Sequence, residues 1–149
     1  MIRARTILGW FGFFGYILMV VIASREPQFT ASFMVSVLGN HFPWLTLEQK
    51  YFTVTLVRKL IHLLAYGGLA LCCFFASAGT RPLKRRPFLA AFVLSLLVAG
   101  LDEFLQFSQA GRTGSLLDVG IDSLGIIIAL LLTNFVQGKV NRKQAEQDS

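Results

Sequence analysis

Four apolar runs, each about one bilayer crossing long, predict an all-α integral membrane protein: a bundle of four transmembrane helices with both chain ends on the cytoplasmic side. Composition is the first support. Of 149 residues, 54% are hydrophobic, mean hydropathy is +0.62 and only 15% are charged, where a soluble domain carries about a quarter. A water-soluble fold of this size would have too little polar surface. The second support is the grouping of the cationic residues into short clusters between the apolar runs.

The first run, Ile7 to Ser24, contains no charge and is closed by Arg25, Glu26 and Pro27. At about 1.5 Å per residue it crosses most of a hydrocarbon core about 30 Å thick. Arg3 and Arg5 ahead of it and Ala23 and Ser24 behind it also suit a signal peptide, but the run exceeds an ordinary signal h-region and is assigned as a span. The second run, Leu60 to Ala78, holds His62 and Tyr66 near its start and stops at the cationic, two-proline stretch Gly79 to Pro87. The third, Phe88 to Phe107, is apolar until Asp102 and Glu103, and the fourth, Leu116 to Val136, carries Asp118 and Asp122 near its beginning. A polar tail, 137–149, follows, and the whole chain reads as a single domain.

Orientation follows from Lys and Arg. With the N-terminus inside, Arg3, Arg5, Arg81, Lys84, Arg85, Arg86, Lys139, Arg142 and Lys143 are cytoplasmic, nine of the 14 cations, as the positive-inside bias requires. Arg25, Lys50, Arg58, Lys59 and Arg112 then lie on the outer side. Such scattered clusters suit anchoring and topology rather than a nucleic-acid surface. Cys72 and Cys73 are adjacent inside an apolar stretch, so they provide no disulfide framework and read as membrane-core filler.

Between spans one and two, Phe33 to Leu38 predicts a short interfacial helix and His41, Phe42, Pro43 and Trp44 an aromatic anchor. Thr46 with Gln49 three residues later is a capping box for a helix that can run without a break into span two. Gly67, Gly68, Gly120 and Gly125 predict close helix approach rather than a phosphate-cradling loop.

Antiparallel neighbours bring the polar positions to one depth. Arg58, Lys59, His62 and Tyr66 open span two, Asp102, Glu103 and Gln106 end span three, and Asp118 and Asp122 open span four, with Arg112 and Ser115 in the turn above. Arg58, His62 and Tyr66 are four apart and share a helix face, as do Asp118 and Asp122. Glu103 and Gln106 can share a face, with Asp102 about 100° away, so only one of the adjacent acids need face the cluster directly. An isolated carboxylate near the centre of a spanning helix costs about 2.5–3.5 kcal/mol on insertion scales, so these acids should turn inward and pair with Arg58, Lys59, His62 or Arg112.

Such a cluster can bind a polar headgroup, with Arg112 offering a bidentate fork, or do acid–base work. His62 is the natural proton carrier, with Glu103 and Asp122 completing the candidate catalytic set. Arg58, Lys59, Tyr66, Asp102, Gln106, Arg112, Ser115 and Asp118 are the candidate ligand-binding residues. Ser115 has no visible activating partner for a nucleophile role. One histidine and several carboxylates can hold a divalent ion, yet no established ligand spacing is present, so neither metal nor other cofactor is assigned. Structural readings compete at several positions: Lys59 as a snorkelling anchor, Asp118 as a helix cap, and Glu103 with Asp122 as a helix-tying network.

This group of residues resembles the signature of the VanZ-like membrane proteins, a family named after an accessory protein of glycopeptide-antibiotic resistance. The resemblance runs from Tyr51 to Val136 and rests on Arg58, Lys59, His62 and Tyr66, then Asp102, Glu103 and Gln106, then Gly111, Arg112, Ser115, Asp118, Asp122 and Gly125. Two positions depart from it: Arg58 stands where relatives often carry an acid, and Asp122 where many carry asparagine. The resemblance implies a cell-envelope protein of the bacterial cytoplasmic membrane, with teicoplanin susceptibility as the associated phenotype, and speaks more to spans and cluster than to a reaction. The expected function is an outer-leaflet pocket that binds, and in its enzymatic version modifies, a polar lipid or cell-wall intermediate. The alternatives are a small proton-coupled carrier and an assembly partner of an envelope complex.

Overall fold

The computed structural model describes residues 4–26, 30–107 and 116–147, which form five α-helices and one short 3-10 turn. Helix α1 is Ala4–Arg25, α2 Ala31–His41, α3 Leu47–Gly79, α4 Pro87–Phe107 and α5 Leu116–Gln147; the 3-10 turn Leu83–Arg85 joins α3 to α4. Helices α1, α3, α4 and α5 are each long and apolar enough to cross a membrane. Their outward faces carry bare large apolar side chains, among them Phe11, Leu64, Leu97, Phe104 and Leu131, all more than 60% exposed. Water would penalise such a surface and lipid would not.

The four expected spans are all present, and two helices overrun them. Helix α3 begins at Leu47, well before Leu60, because the capping box closes as expected: Gln49 N–H donates to Thr46 Oγ1 at 3.2 Å and Thr46 N–H to Gln49 Oε1 at 2.9 Å. Nothing between that cap and the membrane breaks the helix. Helix α5 runs through most of the expected polar tail to Gln147. Once a helix is nucleated, each added residue fixes one backbone unit per hydrogen bond, and the Gln, Lys, Arg and Ala of this stretch are good helix formers. Lys139 folds back over the Phe135 ring at 4.4 Å. The predicted interfacial helix is α2, capped by Thr30, and His41 is exposed, its Nδ1 at 2.9 Å from the Val37 carbonyl one turn back.

Helix α3 is the hub, with α1, α2, α4 and α5 all packed on it. The core along α3 is apolar: Leu69, Ala70, Cys73 and Phe74 meet Phe13 of α1, Ala91, Val98 and Ala99 of α4, and Ile126 and Leu130 of α5. Cys73 is buried there, as filler should be, and Cys72 packs against Gly12. Trp10 Nε1 donates to Thr80 Oγ1 at 2.9 Å, tying α1 to the end of α3.

Two glycines let α3 and α5 touch. A Cβ on Gly125 would run into the Leu63 carbonyl, and one on Gly67 would sit 3.3 Å from the Gly125 carbonyl oxygen. Gly68 and Gly120 do not act this way, since a Cβ at either would meet nothing within 4 Å. Both lie on exposed helix faces, where a small residue brings no helix closer.

Candidate functional site

Apart from Thr6, Ser77 and Ser95, the buried polar side chains gather at the end of the bundle remote from the Arg81–Arg86 turn. There α3 supplies His62 and Tyr66, α4 Asp102, Glu103 and Gln106, and α5 Asp122. Tyr66 is 1% exposed and Asp122 0%, while Asp102, Glu103 and Gln106 lie between 6% and 7%. The Gly67–Gly125 contact sits one turn deeper than the His62–Asp122 level and draws α3 and α5 close enough for these two side chains to meet.

Two connected groups result. In one, Asp102 accepts from Tyr66 O–H at 2.9 Å on Oδ2 and from the Gln106 side-chain amide at 3.0 Å on Oδ1. In the other, His62 Nδ1 stands 3.2 Å from Asp122 Oδ1. As an acceptor, Asp122 favours the tautomer with the proton on Nδ1 and leaves Nε2 unengaged by it. Glu103 joins this second group: ligand-type atoms of His62, Glu103 and Asp122 all lie within 4.8 Å of one another. Among the described residues, these three are the ones that could hold a metal ion.

Both adjacent acids of α4 turn inward, where only one needed to face the cluster directly, because α4 packs on both α3 and α5. The 100° between Asp102 and Glu103 then sends one toward the Tyr66 group and the other toward the His62–Asp122 group. Gln106 consequently pairs with Asp102, four residues back, rather than sharing a task with Glu103. The expected cationic partners are also partly replaced, since Asp102 is held by two neutral donors.

Arg58 lines a cleft of about 300 Å³ together with the polar His62, Asp102 and Gln106 and the apolar Met19, Val20, Ala23, Ile61 and Ala65. Lys59, about 100° round the helix, is half-buried and is not among the lining residues. Asp118 lies one turn nearer the start of α5 than Asp122 and is half-buried. Arg112 and Ser115, with Gly111, lie outside the described residues, as do Arg3 and Pro27.

Tyr16 is the contributor that sequence reasoning missed. Its ring stands edge-on to Tyr66 with centroids 5.5 Å apart, and it lines the cleft with Met34 of α2. Its signal in the sequence was a phenol in the interior of span one, where every neighbour from Ile7 to Ala23 is apolar or glycine.

Residues 11–137 match the VanZ/LLP1 family. The chain belongs to that family. The match covers the second, third and fourth apolar runs and every described residue of the polar cluster, and takes in more of the chain than the stretch Tyr51 to Val136. It includes most of α1, in keeping with the place of Tyr16 in the site. The molecule is thus a VanZ-like, multi-pass membrane protein of the cell envelope. No curated protein and no solved structure matches the chain significantly.

Proposed function

We propose that this VanZ-like protein binds the polar head of a lipid or lipid-linked cell-wall intermediate in the cleft between α1, α2, α3 and α4. The observation that carries the proposal is the mixed lining of that cleft. It offers the polar Arg58, His62, Asp102 and Gln106 together with the apolar Met19, Val20, Ala23, Ile61 and Ala65. An amphiphile needs both: apolar contacts for its chain and donors, acceptors and a cation for its head. Arg58 is suited to a phosphate or carboxylate oxygen, since its planar guanidinium can present two N–H groups to one anion.

The protein is oriented with both ends in the cytoplasm of a bacterial cell, on the balance of Lys and Arg. In that orientation the cleft opens in the outer leaflet, on the side where envelope intermediates are consumed. Chemistry on the bound head falls to His62, which lines the cleft and has Asp122 to hold its ring. Binding in one leaflet is favoured over transport across both, because the bundle beyond Tyr66 and Asp122 is packed with apolar side chains and holds no buried charge among the described residues, only the hydroxyls of Thr6, Ser77 and Ser95.

The test is lipid analysis by mass spectrometry of the purified protein against the Arg58→Ala and Ala65→Trp variants. Arg58→Ala removes the anion partner, and Ala65→Trp fills the cleft without removing a polar group. The native protein is expected to retain one lipid class well above its share of the membrane, and both variants to lose that enrichment at unchanged abundance. Native and variant proteins carrying the same lipids, in membrane proportions, would overturn the proposal.

A further inference from the structure

The sequence shows no metal-ligand spacing around His62, yet the fold assembles one. The three side chains come from three helices: His62 from α3, Glu103 from α4 and Asp122 from α5. One ligand atom from each lies within 4.8 Å of the other two, a spread that small side-chain shifts can close onto a single ion. The tightest pair, His62 Nδ1 and Asp122 Oδ1, is 3.2 Å apart. Two ligand atoms bound at about 2.0–2.1 Å to one tetrahedral ion stand roughly 3.3 Å from each other.

A second, independent observation points to a missing ligand. Asp122 is 0% exposed, and its other oxygen, Oδ2, is enclosed with no hydrogen-bond partner among the described residues. A buried carboxylate oxygen without a donor is costly, and the cost is greater inside a membrane-spanning bundle. A divalent cation beside the Asp122 carboxylate would give Oδ2 a partner.

We propose that His62, Glu103 and Asp122 bind one divalent transition-metal ion, of the zinc or manganese type. Imidazole with two carboxylates suits these ions better than calcium, which takes six to eight oxygens. On binding, Nδ1 of neutral His62 gives its lone pair to the ion, and the imidazole proton resides on Nε2. Three protein ligands leave at least one coordination position for water or for an oxygen of another ligand. Asp122 is one of the three, so an asparagine at this position would weaken the site by removing an anionic ligand. The proposal stands independently of the lipid reading.

The full chain, purified in detergent, stripped with EDTA and dialysed, is titrated with Zn²⁺ and Mn²⁺, and bound metal is counted by mass spectrometry. Co²⁺ is added in parallel for its visible ligand-field bands. The expected result is one equivalent per chain, a rise in Tm on metal addition, and cobalt bands that report a bound site. Glu103→Gln and Asp122→Asn keep side-chain volume and remain testable even where His62→Ala fails to fold. Loss of partners beyond the ligands already weakens metal sites by about 10–100-fold, so each of these ligand changes should cost on the order of tenfold or more. His41→Ala, on the exposed end of α2, is expected to leave binding unchanged. No stoichiometric metal, or binding that survives Glu103→Gln and Asp122→Asn, would overturn the assignment.

Discussion

Replacing Gly125 by valine is expected to destabilise the bundle by about 3 kcal/mol or more, at the upper end of the overpacking range. The reason is the identity of the atom in the way. A Cβ at this position meets the Leu63 backbone carbonyl, which cannot rotate aside as a side chain would. The two helices must separate, and with them His62 and Asp122, which stand one turn away on the same pair of helices. Gly120→Ala provides the contrast, because its Cβ meets nothing within 4 Å. That change should be neutral or stabilising by up to about 1 kcal/mol, the helix preference for alanine over glycine. Unfolding of both variants in detergent, followed by circular dichroism, measures the difference. Equal stabilities would mean that α3 and α5 do not touch at Gly125.

His62→Ala is expected to cost about 3–5 kcal/mol, well above the cost of Asp122→Asn at about 1 kcal/mol. The asymmetry follows from what each change leaves behind. Without His62, the Asp122 carboxylate stays fully enclosed with no partner on either oxygen among the described residues. It must then take up a proton or draw in water. With asparagine at 122, the amide oxygen can still accept from the imidazole, and His62 is 24% exposed and can remain neutral. Chemical denaturation of the two variants compares them directly. A His62→Ala protein as stable as Asp122→Asn would show that the carboxylate was never held by the ring.

Much of this architecture was legible in the residues, for a physical reason. A spanning helix must be apolar for about 20 residues and must satisfy its own backbone, so its position is written in composition alone. The extents of α3 and α5 were less legible. Their overruns lie in polar sequence, where the capping box at Thr46 and the propagation of α5 decide the ends rather than hydropathy. In the site, the His62–Tyr66 face followed from helical spacing and the inward turn of Asp122 from the cost of a carboxylate in lipid. The pairing of Asp102 with Tyr66 and Gln106 did not, because it depends on how α4 is rotated between its neighbours. Spacing along one chain states which residues share a face, and only packing states which face meets which. For the same reason Tyr16 went unnoticed, and the three groups of the proposed metal site, each from a different helix, form no motif.

The proposed metal site and the holding of the His62 ring both rest on side chains of α3 and α5 meeting inside the bundle, and a double-mutant cycle on His62 and Asp122 measures that meeting as an energy. Stability of the native protein is compared with His62→Ala, Asp122→Ala and the double variant under one unfolding protocol. The predicted result is a coupling of at least about 1 kcal/mol, the double variant being less destabilised than the sum of the singles. Additivity within about 0.5 kcal/mol, the behaviour of distant and independent sites, would contradict it.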